Sequence, residues 1–128
     1  MIVLDSRAFL WWVNGSPLLG KRARKEIASA KRLGVCSITC FEIATAAARG
    51  RIELDRAAET WLQDALSLPR VELIPLTPQI AVKAASLGGG FPGDPGDRII
   101  VATTLLLPAT LITKDKRIVA AGVVATIW

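Results

Sequence analysis

Four acids stand out in this sequence by where they fall: Asp5, Glu42, Asp97 and Asp115. Asp5 directly follows a short apolar run at residues 2–4. Glu42 lies in the first turns of a helical stretch behind the apolar segment Val35-Cys36-Ser37. Asp97 opens a helix after a glycine-rich loop, and Asp115 follows the apolar run 110–113. Carboxylate oxygens are the ligands that Mg2+ and Mn2+ prefer, and such ions keep coordination positions for water and substrate phosphate. Two of them about 3.5–4 Å apart can activate a water and stabilise the leaving oxygen of a phosphodiester. That chemistry needs no histidine, and the chain contains neither His nor Tyr. Ser-His-Asp and Cys-His pairs, imidazole bases, phenol nucleophiles and histidine metal ligands are therefore excluded. Cys36 and Cys40 are too few to fill a structural zinc site and read as buried free thiols.

Each acid also has a local reading. Glu42 follows Thr39 at the capping-box spacing, Asp97 suits the third position of a helix capped by Asp94, and Asp115 suits a turn. Asp5 is harder to assign locally, because an acid behind a buried strand is costly unless it caps a helix or binds something. The arrival of all four at one predicted sheet edge favours a shared site. Asp94 is assigned to capping.

The elements that must position these acids alternate. A strand at 2–4 leads into a helix through Ala8, Leu10, Trp11 and Trp12 that stops at Asn14-Gly15, and a helix over 21–32 carries a basic outer face. A strand at 35–37, a helix over 38–49 and a helix from Asp55 to 68 follow. A strand at 71–76 and a helix over 78–87 precede Gly88-Gly89-Gly90 and Pro92-Gly93, which read as a mobile loop. Asp94-Pro95-Gly96-Asp97 then opens a helix with Asp at the N-cap and Pro at the first helical position. A strand at 110–113, a short helix over 116–120 and a strand at 123–127 complete the chain. The pattern predicts an α/β fold with a mainly parallel central sheet and helices on both faces. In such sheets ligands bind beyond the carboxyl ends of the strands, near the switch in strand order.

At 128 residues and 52% apolar composition, one domain spanning 1–128 with a sizeable core is expected. The longest stretch without charge, residues 99–113, is shorter than the ~20 residues a bilayer span needs and is interrupted by Pro108. The N-terminus lacks the basic region of a secretory signal, so the expectation is a cytoplasmic protein without membrane contact. A net charge of +5 and a pI near 9.8 favour polyanionic partners such as nucleic acid. Lys21–Lys25, Arg49, Arg51, Arg98, Lys114, Lys116 and Arg117 are candidates for tracking an RNA backbone, or form an ordinary solvated face. The adjacent Trp11 and Trp12 cannot both face one core, which leaves one for a partner or for the edge of the core.

The segments IVLD, ITCFEIATAAARGRIELD, GDPGDRIIVATTLLL and LITKDKRI, in this order and spacing, resemble the four blocks of PIN-domain ribonucleases, specifically VapC-type toxins of bacterial toxin–antitoxin pairs. The resemblance extends over nearly the whole chain to its terminal TIW. It implies an endoribonuclease dependent on Mg2+ or Mn2+, with Asp5, Glu42, Asp97 and Asp115 in the positions of the family's acidic quartet. It also implies a homodimer and a cognate antitoxin that blocks the site. Where such toxins commonly read Asp-Thr-His, this chain reads Asp5-Ser6-Arg7. Ser6 keeps the hydroxyl. Arg7 adds a permanent charge that neutralises the acids, binds scissile phosphate, or sits exposed on a solvated helix face. Thr113 and Ser37 match hydroxyl positions of the family blocks and are equally ordinary strand-end residues.

Two rival folds fit less well. A phosphoaspartyl phosphatase needs a second Asp two residues after the first, and position 7 is Arg. A receiver-type signalling module needs a phosphoacceptor Asp at the end of a central strand, where this chain has Ile74-Pro75-Leu76. A catalytically silent PIN-like module that binds antitoxin or RNA remains the alternative.

Overall fold

A computed structural model describes residues 1–128. Its elements are β1 (Ile2–Leu4), α1 (Ser6–Val13), α2 (Lys21–Ser29), β2 (Leu33–Cys36), α3 (Ser37–Ala48), α4 (Ala58–Leu66), β3 (Val71–Ile74), α5 (Pro78–Ala85), α6 (Pro95–Leu106), β4 (Thr110–Ile112), α7 (Lys116–Ala121) and β5 (Thr126–Ile127). The five strands form one sheet in the order β3-β2-β1-β4-β5, and every pairing is parallel. The expected α/β architecture is present. No helix is long and apolar enough to cross a membrane.

Alternation along the strands divides the core into two layers. Ile2, Leu4, Leu33, Val35 and Ile112 point to one face, where they pack with Phe9 of α1, Ala23 and Ile27 of α2, Ile43 of α3 and Trp61 and Ala65 of α4. Val3, Cys36 and Leu111 point to the other, against Ile100 and Val101 of α6 and Ile118 of α7. Helices thus cover both faces, and α5 packs on α6 through Ile80, Ala84 and Ala102. Because β1 lies between β2 and β4, the chain leaves β1 in one direction and later returns to its other side. The carboxyl ends of β1, β2 and β4 therefore share one edge at the switch in strand order.

Several boundaries differ from the sequence reading, each for an identifiable reason. The helix expected to 32 ends at Ser29: Ala30 is extended (φ −72°, ψ 138°), and Arg70 Nη1 donates to the carbonyls of Ile27 and Ala30, 2.7 Å each. Asp55 does not cap a helix. Its carboxylate is taken by Arg56, at 2.9 Å, and α4 starts at Ala58 without a side-chain cap. Strand β3 stops at Ile74, where Pro75 can donate no ladder hydrogen bond. The last strand shortens to Thr126–Ile127, because the chain must first turn at Gly122, the left-handed cap of α7 (φ 65°). Neither Trp11 nor Trp12 is left exposed; both are half-buried against the first core layer.

The loop before α6 is not free. Arg98 Nε donates to Pro92 O at 3.0 Å, Nη1 to Ala84 O at 3.1 Å, and Nη2 to Gly88 O and Phe91 O at 2.8 and 3.2 Å. Its guanidinium also lies 5.6 Å from the centre of the buried Phe91 ring. Arg98, a candidate for RNA contact, instead clamps this loop to α5 and α6.

Candidate active site

All four acids line one cleft of about 570 Å³ at the carboxyl edge of the sheet, together with Ser6, Arg7, Trp11, Arg51, Lys114 and Trp128. Asp5 is delivered by β1. Its backbone N–H donates to Ile112 O of β4 at 3.1 Å, and its Oδ1 accepts from Ala8 N at 2.8 Å, capping α1. Capping and site membership coexist here. Burial raises the Asp5 carboxyl above its ordinary range, and the nearby Asp115 charge adds to this; the Thr113 hydroxyl, the Ala8 amide and Arg7 oppose it.

Glu42 is not a capping-box residue. Ser6 Oγ donates to Glu42 Oε1 at 2.6 Å, and since Ser6 gives its proton there, buried Thr39 is the donor in the 2.9 Å contact between the two hydroxyls. Strand β1, through α1, thereby orients a side chain of α3. The Glu42 carboxyl is raised by burial and by the charge of Asp94, against the Ser6 hydrogen bond. Gly96 completes this cradle: a Cβ built there would stand 2.5 Å from Glu42 Oε2 and 2.8 Å from Cδ. The sequence reading overlooked Gly96, whose only visible signal was an unusual glycine in the first turn of a helix.

Asp97 takes the third position of α6, and Asp94 Oδ1 accepts its amide at 3.0 Å, so the expected cap is present. The Asp97 side chain is free of capping duty and lies in the cleft. Its carboxyl is pushed up to about 6, first by burial and then by the charges of Asp94 and Asp115, with Arg117 opposing and Glu42 adding. Asp115 caps α7, accepting from the amides of Arg117 and Ile118 at 2.8 and 3.4 Å. Burial raises it too, but the hydrogen bonds from Arg117 and these amides outweigh that and hold it below the usual carboxylate range. Buried Thr113 supports this turn by accepting from the Asp115 amide at 3.1 Å. Ser37 does not serve the site; its hydroxyl accepts from Leu76 N at 3.1 Å. Cys36 is buried among apolar groups, and its thiol is pushed up to about 11, which suits an inert core residue. Cys40 is only half-buried.

Arg117 Nη2 lies 3.1 Å from both Asp97 Oδ2 and Asp115 Oδ2. With the guanidinium between them, no three of the acids stand close enough together to hold one ion. The chemistry of the donors nevertheless suits a hard cation. They are all oxygen, three of the four are driven towards protonation by burial and by neighbouring carboxylates, and Gly96 leaves room for Glu42. The cation now occupying Asp97 and Asp115 is itself exposed and water-screened, so it is weakly held.

The arrangement of this cleft is accompanied by a match of residues 2–124 to the PIN domain family model, and by 37% identity over 117 residues to Ribonuclease VapC22 of Mycobacterium tuberculosis, covering 91% of this chain and 88% of that protein. The chain belongs to the PIN-domain family and is of the VapC type. The fold of this PIN domain is shared with several solved structures. One is a toxin–antitoxin complex from Klebsiella pneumoniae (TM-score 0.70, 22% identity, 98% of this chain and 97% of that one). Another is FitAcB from Neisseria gonorrhoeae (TM-score 0.72, 21% identity, 100% and 97%). A third is VapC20 of Mycobacterium tuberculosis, a sarcin-ricin loop cleaving toxin (TM-score 0.72, 18% identity, 95% of each chain).

Proposed function

We propose that this PIN domain is a metal-dependent endoribonuclease acting as the toxin of a toxin–antitoxin pair, with Asp5, Glu42, Asp97 and Asp115 as its acidic site. The observation that carries the reading is their convergence from four different elements on one cleft, with Asp97 raised to about 6. Helix capping accounts for Asp5 and Asp115 but leaves Glu42 and the Asp97 side chain without a structural duty.

Mg2+ or Mn2+ bound to these carboxylates would supply a polarised water and charge stabilisation for the phosphodiester. The protein's own residues do the rest. Ser6, backed by Thr39, fixes one Glu42 oxygen and leaves the other beside Gly96. Asp5 is fixed by its cap, and Arg117 balances the charges of Asp97 and Asp115. Attack by water on phosphorus breaks the P–O3′ bond, and the leaving 3′-oxygen takes a proton. The products carry 5′-phosphate and 3′-hydroxyl ends.

Partners follow from the same site. An antitoxin with a basic segment would pair with acids that otherwise repel each other. The structural relative from Klebsiella pneumoniae is a toxin–antitoxin complex, which supports such a partner, and a homodimer and a cytoplasmic location belong to the same reading. A silent RNA- or antitoxin-binding module is the second reading, favoured by the Arg117 bridge across two of the acids.

Incubation of the pure protein with end-labelled RNA, with and without Mg2+ or Mn2+, separates the two. Metal-dependent products with 5′-phosphate ends support the nuclease. Cyclic phosphate ends, or full activity in excess EDTA, would overturn the proposed chemistry, and binding without cleavage would favour the silent module.

A further inference from the structure

The cleft that holds the acids is also lined by three cations, Arg7, Arg51 and Lys114. Two of them are held in an unusual way. The Arg7 guanidinium lies 5.7 Å from the centre of the Trp11 ring, and Lys114 Nζ lies 5.3 Å from the same centre. Neither pairs with a carboxylate, although four carboxylates line the same cleft and Arg117 pairs with two of them. An aromatic face holds a cation by its quadrupole without neutralising it, so both charges stay available to an anion. The ring is itself fixed. Trp11 packs edge-on to Trp128, centroids 5.7 Å apart at 62°, and Trp128 fits against Gly20 so closely that a Cβ there would lie 2.6 Å from its backbone carbon. The platform is thus built by the first helix and the chain end, and it presents one cation from α1 and one from the turn after β4.

We infer that Arg7 and Lys114, held over Trp11, form a phosphate subsite for the RNA backbone flanking the scissile bond. The inference rests on the ribonuclease reading and adds to it how a polyanion is brought against an acidic pocket. Four acids repel phosphate, and two cations that line the same cleft and pair with no carboxylate offset that repulsion. It also gives position 7 a role: arginine keeps its charge at every working pH and offers a planar fork to phosphate oxygens. RNA is favoured over an acidic protein segment because the cations stand inside the cleft that holds the candidate catalytic acids rather than on a separate face.

The test is cleavage of a labelled single-stranded RNA oligonucleotide in Mn2+ across a salt series, with wild type, Lys114→Gln, Arg7→Gln, Trp11→Leu and Trp11→Phe. Lys114 and Arg7 are exposed, so their variants are expected to fold. Each Gln variant should raise the RNA concentration for half-maximal rate about tenfold, as expected for one charge-assisted contact. It should also flatten the slope of log affinity against log salt by roughly 0.7. The rise in Tm on adding Mn2+ should be no smaller than in wild type, since neither cation pairs with a carboxylate. Trp11→Leu should behave like the Gln variants, and Trp11→Phe, which keeps a ring, should lie nearer wild type. Unchanged half-saturation and salt slope in Lys114→Gln and Arg7→Gln, in protein whose wild type cleaves RNA, would overturn the subsite alone. A change confined to the maximal rate, or a lost Mn2+ response, would overturn it as well. Failure of the wild type to cleave or bind RNA would instead remove the reading on which it rests.

Discussion

Arg117 reaches back over twenty residues of sequence to place Nη2 3.1 Å from Asp97 Oδ2, and it is the one cation that opposes the upward shift of that acid. The Asp97 side chain is 18% exposed and that of Arg117 63%, so the acid is fixed in the cleft while its partner is free to swing out. Removing the guanidinium should leave the acids more repulsive and their affinity for a divalent ion higher. Arg117→Gln is expected to tighten Mn2+ binding severalfold by calorimetry. Weaker Mn2+ binding would show instead that Arg117 supports the site.

The raised Asp97 carboxyl has a definite effect on stability. Its pKa is about 6 in the folded chain and near 3.8 when unfolded, so between these values the folded state binds the extra proton. Stability without metal should therefore fall as pH rises from about 4 to about 6, by up to about 3 kcal/mol. Asp97→Asn removes the titrating group while the Asp94 cap stays in place, and it should flatten this slope and raise Tm in EDTA near pH 7. An Asn variant with the wild-type pH dependence of Tm would assign the slope elsewhere.

Gly96 predicts a separation of folding from function. In the first turn of α6 an alanine is a better helix former than glycine, by about 0.5–1 kcal/mol. The new methyl nonetheless meets the Glu42 carboxylate at 2.5 Å, and the flexible acid is the group that moves. Gly96→Ala should keep a Tm close to wild type and lose most of its RNA cleavage and its Mn2+ stabilisation. Full activity in this variant would mean that the position of Glu42 is not critical.

Arg98 is expected to act through the loop alone. Its bonds to the carbonyls of Ala84, Gly88, Phe91 and Pro92 are the main polar tie on this segment, and charge-assisted hydrogen bonds suggest a cost of about 2 kcal/mol on truncation. Arg98→Ala should lower Tm and open the 88–93 segment to limited proteolysis. A wild-type salt dependence of RNA affinity in this variant, read at a temperature where it is folded, checks that Arg98 makes no contact with the backbone phosphates.

What the sequence determined was everything set by short separations. The apolar runs at 2–4, 35–37 and 110–113 marked three buried strands, which the structure places at 2–4, 33–36 and 110–112 with Ser37 opening α3, and Asp94-Pro95-Gly96-Asp97 marked the start of α6, because pleat and cap act within two to four residues. The absence of histidine and tyrosine confined the chemistry to carboxylates, lysine or arginine, hydroxyls and thiols. The tertiary structure decided which polar groups meet. Thr39 and Glu42 are one helical turn apart, yet Glu42 is bound by Ser6, 36 residues away, because β1 and β2 are parallel neighbours and bring α1 onto α3. Glycine 96 became a cradle, and Arg98 a loop clamp, only once α6 lay across the sheet beside α3 and α5. The Trp11 platform needed the last residue of the chain, which no periodicity links to the first helix. Such pairs depend on strand order, and strand order follows from packing both layers of the core at once.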